Sequence, residues 1–552
     1  VNMSNIFIAN DGSDFQLPII GGVPTLEQTM QLQVSLPAQL VGKAIKISQT
    51  FDGGSVVLNL LASAIEDLSG NKNGELTAIQ VVEYPDTEPP LVVGATIDYS
   101  NSLLILACNE VMDGTRVHLA NGTKFIVSKV SDPTWRTRLV GSTMEILGDS
   151  QSITFKIPEH LRLYLQANSK LATGDDGDQY YLIVEQGAVL DLSSNGNVEN
   201  KNLTLPELPD RRRPAFTGAT IDLGSGNVTF IADETLDFAN ISKMVNLNSF
   251  YISNGPGQKN ISMGDAIILS SGGNQFRVQI NDLKRVEAIQ MSNRSGGDGT
   301  PLVADVVAEA VYDIVGNNNT ANFGVPVQEV ADTRSPVIVN VTIDYNDGRV
   351  TVEADEILDL TPTTKVDGAQ MFVGYSESNM RNEDTSVSTK VRAPLVENLI
   401  QNAGTTTVTR VIPLEGGIDV VPSADGYVAT FVLPEAARVV ALQYSAQVGG
   451  WFNPPQNPTV FEIRPGAFLD VAQVANALAR FDATVETPDT TAPFIIGASI
   501  NYGTGILTIT GSETINADPT YVGRKSAQFE ARGIDLSLIF LYNYGASEPF
   551  VF

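Results

Sequence analysis

Carboxylates recur along this chain at three fixed offsets, and regularly spaced oxygen ligands are what a hard cation needs. Asp86, Asp210, Asp332 and Asp489 each lie eleven residues before an isoleucine (Ile97, Ile221, Ile343 and Ile500). Thirteen residues after each isoleucine stands a glutamate: Glu110, Glu234, Glu356 and Glu513. Three residues further on come Asp113, Asp237 and Asp359, with Asn516 in the last copy. Thirty residues before each isoleucine is another aspartate: Asp67 (followed by Asn71 and Asn73), Asp191, Asp313 and Asp470. Calcium takes six to eight oxygen ligands from carboxylates, amide oxygens and carbonyls. The expected calcium sets at successive junctions are therefore Asp67, Asn71, Asp86, Glu110 and Asp113, then Asp191, Asp210, Glu234 and Asp237, then Asp313, Asp332, Glu356 and Asp359. The last copy fits less well, because Asp470 is followed by Val-Ala-Gln-Val rather than Leu-Ser-Gly-Asn. Asp, Asn and Gly also favour turns and caps, so the same pattern is open to a purely structural reading.

Other chemistry finds little support in the sequence. Two histidines in 552 residues leave almost nothing for imidazole acid–base catalysis or zinc. The pairs Asp233/Glu234 and Asp355/Glu356 have the residue types of a glycosidase, but they recur in several copies, whereas an active site occurs once. No enzyme is expected. Cys108 sits in the apolar run Leu103–Cys108 and reads as a small buried hydrophobe, with no second cysteine for an internal disulfide. Trp135 and Trp451 are expected as core or rim residues, with sugar stacking as the other reading. Nine Asn-x-Ser/Thr sequons are candidate glycosylation sites: Asn2, Asn121, Asn202, Asn227, Asn240, Asn260, Asn293, Asn318 and Asn340.

These residues must be held by repeated elements. The isoleucines are 124, 122 and 157 residues apart, so one unit recurs about four times. Each copy opens on a proline-containing linker, continues into a strand such as Val93–Ile97, and turns through Asn346-Asp347-Gly348 or Gly503-Thr504-Gly505. An alternating strand follows, such as Val350–Ala354. Many short strands in units of about 120 residues predict an all-β chain of tandem β-sandwiches in an elongated array. The expected divisions are 1–86 (partial, opening strands missing), 87–209, 210–331, 332–488 with an insertion at about 376–426, and 489–552 (partial, closing strands missing). Pro158–Arg162, Asn281–Arg285 and Pro434–Arg438 predict a single helical turn, whose recurring arginine is expected to pair within its own unit.

The linker Asp-Thr-x-x-Pro, the strand ending Ser512-Glu513-Thr514 or Asn109-Glu110-Val111, and the closing Asp67-Leu-Ser-Gly-Asn71 resemble bacterial Ig-like tandem repeats of the surface-layer and large-adhesin type. Similar modules occur in large algal and other eukaryotic extracellular surface proteins. The resemblance covers essentially the whole chain and implies a sandwich fold with a structural role outside the cell.

A net charge of −29 repels a nucleic-acid backbone and suits solubility, divalent cations or high salt. No run of about 18 apolar residues offers a membrane span. Val1–Ser4 opens without a basic or apolar leader, and Val1–Ile8 resembles Val245–Ile252 and Ile534–Leu541, so the segment is expected to start and stop in mid-repeat. The expected role is a structural piece of an extracellular filament, surface layer or rod. It would self-associate with further copies, and strand exchange at the incomplete ends is one route. The alternative is an adhesin or receptor-binding stalk with a glycan or protein ligand, and a remote one is an accessory region of a carbohydrate-active enzyme.

Overall fold

The computed structural model describes the chain except residues 12–15, 26–29, 52, 116–121, 146–147, 170–178, 240–244, 377–408, 415–417, 446, 448–458, 482–483, 516–538, 542–549 and 552. The chain is all-β, built as tandem two-sheet sandwiches. In residues 87–209 one sheet runs Thr143–Met144, Ser150–Lys156, Leu103–Met112, Val92–Asp98, Glu207–Leu208, and the other runs Arg136–Arg138, Phe125–Lys129, Tyr180–Val184, Asn200–Leu205. The same two orders recur in 332–488, where Ile338–Asp344 and Arg349–Leu358 take the central places. In the unit between them, the long strand Asn322–Val330 pairs with Val303–Val306 through its first half and with Phe216–Asp222 through its second, joining both sheets into one of eight strands.

Alternation explains the layering. Val92, Ala95 and Ile97 on one face of their strand are buried, as are Leu104 and Leu106 on the next, because successive side chains of a strand point to opposite faces. The opposite sheet supplies Phe125, Val127, Tyr180 and Leu182, and the two faces close one core. The turn at Asn346-Asp347-Gly348 places Gly348 at φ +72°, which an L side chain adopts only with strain. Cys108 faces this core, and burial pushes its thiol pKa up to about 12. The native chain is therefore expected to leave Ellman's reagent unreacted at pH 8 while the guanidinium-unfolded chain gives one thiol; prompt native reaction would disprove the burial.

The helical segments are longer than a single turn. They span Ala38–Ile47, Glu159–Ala167, Asp282–Gln290 and Glu435–Tyr444. Their apolar residues keep the 3.6 period, so Val286 and Ile289 reach the core together, and that burial extends the helix beyond its capping residues. Among the described residues of the insertion, Thr409–Pro413 pairs with Met371–Ser376, and Asp419–Val420 pairs with Gly426–Val432. The remainder, 377–408, lies outside the described residues.

Residues 1–86 contribute a four-stranded sheet, Gln16–Pro18, Ile6–Asn10, Val56–Leu60, Leu76–Gln80, and a two-stranded one, Val23–Pro24 with Val34–Ser35, with a small core around Leu17, Leu40 and Leu60. Near the other end, Ile495–Asn501 and Ile506–Gly511 form a hairpin. Tyr502 on this hairpin is 88% exposed, whereas its counterpart Tyr345 is fully buried. Among the described residues no helix is long and apolar enough to cross a membrane.

Candidate functional site

The carboxylates converge at the junctions between sandwiches, and an arginine from the preceding unit is built into them. A helix opens with an acid in its first turn (Glu159, Asp282 or Glu435), where the N-terminal dipole favours negative charge. Three residues later, on the same helix face, come Arg162, Arg285 and Arg438. Arg285 is 4% exposed. Its Nε donates to Asp282 at 2.5 Å, Nη1 to Asp332 at 2.6 Å and to the Leu223 carbonyl at 3.0 Å, and Nη2 to Glu356 at 2.9 Å. Arg162 repeats this with Glu159, Asp210, the Tyr99 carbonyl and, at 3.9 Å, Glu234. Arg438 repeats it with Glu435, Asp489, the Tyr345 carbonyl and Glu513.

The expected pairing within one unit is present, to the helix acid and to the Tyr99, Leu223 or Tyr345 carbonyl, and the arginine in addition bridges its helix to the linker and first sheet of the next sandwich. The helix acid crosses as well, since Asp282 accepts from the Ile357 amide at 3.2 Å and Glu435 from the Thr514 amide at 2.8 Å. Apolar contact accompanies the polar one. Ile357, Val471 and Ala472 join the core of the preceding unit. A Cβ on Gly296 would stand 2.0 Å from the Val471 carbonyl oxygen, so only glycine permits that approach.

Three acid triads result: Asp86/Glu110/Asp191, Asp210/Glu234/Asp313 and Asp332/Glu356/Asp470, each with ligand atoms within 4.8 Å of one another. This regroups the sequence expectation. Asp191 joins Asp86 and Glu110 rather than Asp210, and Asp313 joins Asp210 and Glu234 rather than Asp332, because the closing loop of a sandwich returns to the pole where its linker enters. Asp470, outside the expected sets, completes the third triad, and its offset in the sequence was the available signal.

The remaining candidates lie apart from the triads. Asp67 is exposed and holds Asn71 in a local turn, accepting from its amide nitrogen and its side chain at 2.8 Å each. That side-chain hydrogen bond holds the Asp67 carboxyl below its usual range. Asp113 accepts from Thr115, Asp237 from the Ala239 amide, and Asp359 from Lys365 and Gln473. Asp191 and Asp313 use the same turn as Asp67, with Asn195 and Asn317 as partners. Those asparagines also reach the Asp86 and Asp210 carbonyls at 3.1 and 3.3 Å, tying linker to closing loop.

Burial dominates the electrostatics. It raises Glu234 to about 8, aided by Asp210 and Asp313, and Glu356 to about 7. Asp470 rises to about 6, again chiefly by burial. At the first junction Val41 occupies the helical place of the arginine, and Glu110, partly buried beside Asp86 and Asp191, rises to about 7. A Cβ on Gly42 would lie 2.9 Å from the Val111 Cβ, so this helix also presses closely on the next sandwich.

Of the sequons, Asn2, Asn202, Asn260 and Asn293 are exposed, Asn227, Asn318 and Asn340 are half-buried, and Asn121 and Asn240 lie outside the described residues. Trp451 also lies outside them. Trp135 stacks with Tyr164 at 5.8 Å and Tyr180 at 5.6 Å, and Lys129 Nζ lies 4.9 Å from its ring centre, so the ring is engaged by its own unit.

No protein-family model and no curated protein matches the chain. Among solved structures it is similar to a three-domain I-band fragment of titin, I67–I69 (8% identity over 73% of this chain and 100% of that one, TM-score 0.16). It is also similar to domains 1–6 of the surface-layer protein SbsC (10% identity over 79% of this chain and 58% of that one, TM-score 0.16). A Dscam structure gives 8% identity over 77% of this chain and 86% of that one, with TM-score 0.14. None of the three lends this chain a function.

Proposed function

We propose that the chain is a non-enzymatic structural segment of an extracellular assembly, a filament, surface layer or rod-like appendage, in which tandem sandwiches set length and stiffness. The observation that carries this reading is the recurrence of one latch at successive junctions: a buried arginine with the linker aspartate and strand glutamate of the following unit. Domains joined by bare linkers move relative to one another by default. A desolvated guanidinium whose separate nitrogens engage two carboxylates of the next unit, supported by apolar contact, removes that freedom, because its planar fork matches them in only one orientation. Self-association and occupied sequons are parts of the same proposal.

Small-angle X-ray scattering on the full chain tests it. The wild type is expected to scatter as an extended, stiff particle. The Arg162→Met/Arg285→Met/Arg438→Met variant is expected to show a shorter and broader distance distribution with its β circular dichroism retained. A compact wild type, or a variant of unchanged profile, defeats the reading.

A further inference from the structure

We propose that the two buried triads, Asp210/Glu234/Asp313 and Asp332/Glu356/Asp470, each bind one hard divalent cation of the calcium class. Convergence of acids is the first observation: in each triad three carboxylate oxygens lie within 4.8 Å of one another, and every member is at least nine-tenths buried. The second is independent of it. Glu234 Oε1, Glu356 Oε1 and Asp470 Oδ2 are shielded from solvent and have no hydrogen-bond partner. Buried carboxylate oxygens normally accept several hydrogen bonds, and one left without any points to an occupant.

The orphaned atom is the same one in both glutamates. Arginine takes the Oε2 side of each, at 3.9 Å in Glu234 and 2.9 Å in Glu356, and leaves Oε1 open. At Asp470 the cause is local. Val474 stands where Asn195 and Asn317 stand in the other copies, so Oδ1 keeps the backbone amide at 2.7 Å while Oδ2 loses its side-chain donor.

Charge points the same way. Around Arg285 stand Asp282, Asp332, Glu356 and Asp470, four carboxylates against one guanidinium. Around Arg162 stand Glu159, Asp210, Glu234 and Asp313. An uncompensated buried charge is expensive, and a divalent cation reduces the excess at each cluster from three to one. The donors are oxygen alone, with no cysteine or histidine, which suits calcium or magnesium rather than zinc or copper. Three carboxylates leave positions for carbonyls and water. The raised Glu234 and Glu356 carboxyls reflect the same environment, which favours any positive occupant, a proton included.

The inference goes beyond the role proposed for the array and stands on the clusters themselves. The full chain, stripped with chelator and dialysed at pH 8, is titrated with calcium chloride by isothermal calorimetry and melted with and without the ion. Saturable binding is expected, with a rise in melting temperature of about 5 °C or more at saturation. Glu234→Gln/Glu356→Gln keeps side-chain volume and an acceptor for each arginine while removing both charges. It is expected to fold, to melt alike with and without calcium, and to lose the saturable heat. Should it fail to fold, Asp470→Asn keeps an acceptor for the Val474 amide while removing one carboxylate from the third triad, and is expected to lose about half of the binding stoichiometry. Absence of saturable wild-type binding, or unchanged binding in these variants, overturns the proposal in favour of a protonated glutamate. Scattering in chelator separates the two readings, since the arginine latches remain without the ion and a stiff rod that binds no calcium is a distinct result.

Discussion

Replacing Arg285 by methionine is expected to destabilise the junction between residues 210–331 and 332–488 by about 3–5 kcal/mol. The guanidinium is buried and satisfies Asp282, Asp332, Glu356 and a main-chain carbonyl together. In chelator, Asp332, Glu356 and Asp470 then remain as buried acids without the guanidinium, and desolvation is unopposed. Methionine fills much of the stem's volume, so the loss reports charge rather than a cavity. Hydrogen exchange is the suitable measurement, because a multidomain chain has no single unfolding free energy. Amides of Asp282–Gln290 and Arg349–Leu358 should exchange at least a hundredfold faster, while those of Val92–Asp98 should not change. The variant that also carries Asp332→Asn and Glu356→Gln should recover most of the protection, since removing a whole ionic group costs less than removing one partner. Protection lost by less than tenfold in Arg285→Met would mean that the ion pairs contribute little.

The second large effect is expected at Phe230. Its ring is fully buried and lies 4.9 Å from Phe250, 5.3 Å from Phe276 and 6.4 Å from Phe216, edge-to-face with Phe250 and Phe216 and stacked with Phe276. Phe230→Ala removes most of the ring from a packed core and is expected to cost about 3–5 kcal/mol, made up of transfer and cavity terms. The check is urea unfolding followed by exchange in Phe216–Asp222 and Gln275–Gln279, which should lose protection together. Phe494→Ala is the control. That side chain is 64% exposed, and its loss is expected to stay within about 0.5 kcal/mol. Equal effects at the two positions would contradict the assignment of the core.

Much of this architecture is legible from residue order, because sheets write their period into the sequence. The buried face of Ile338–Asp344 alternates with its outer face, and the Asn346–Gly348 turn announces the strand that follows. Helix length is less legible. Pro158 and Glu159 mark a start, but the helix runs to Ala167 because Leu165 finds a core across the chain. The triads show where offsets mislead. Asp191 is nineteen residues from Asp210 and 105 from Asp86, yet it clusters with Asp86. Adjacency in the sequence suggested the nearer partner, whereas the closing loop of a sandwich ends beside its own entry. The arginines were visible as a recurrence, but that they reach into the following unit depends on the packing of one sandwich against the next.

That reach has a directional consequence. Every described arginine latch runs the same way, from the helix of one unit to the linker and first sheet of the next. A sandwich with this latch therefore offers a helix arginine beside its acid at one pole and a linker aspartate with a strand glutamate at the other, so its two poles differ and the array has a direction. The two poles are not interchangeable, since a unit turned end for end would set linker and strand carboxylates against carboxylates. The direction set at one latch is thus repeated at the next.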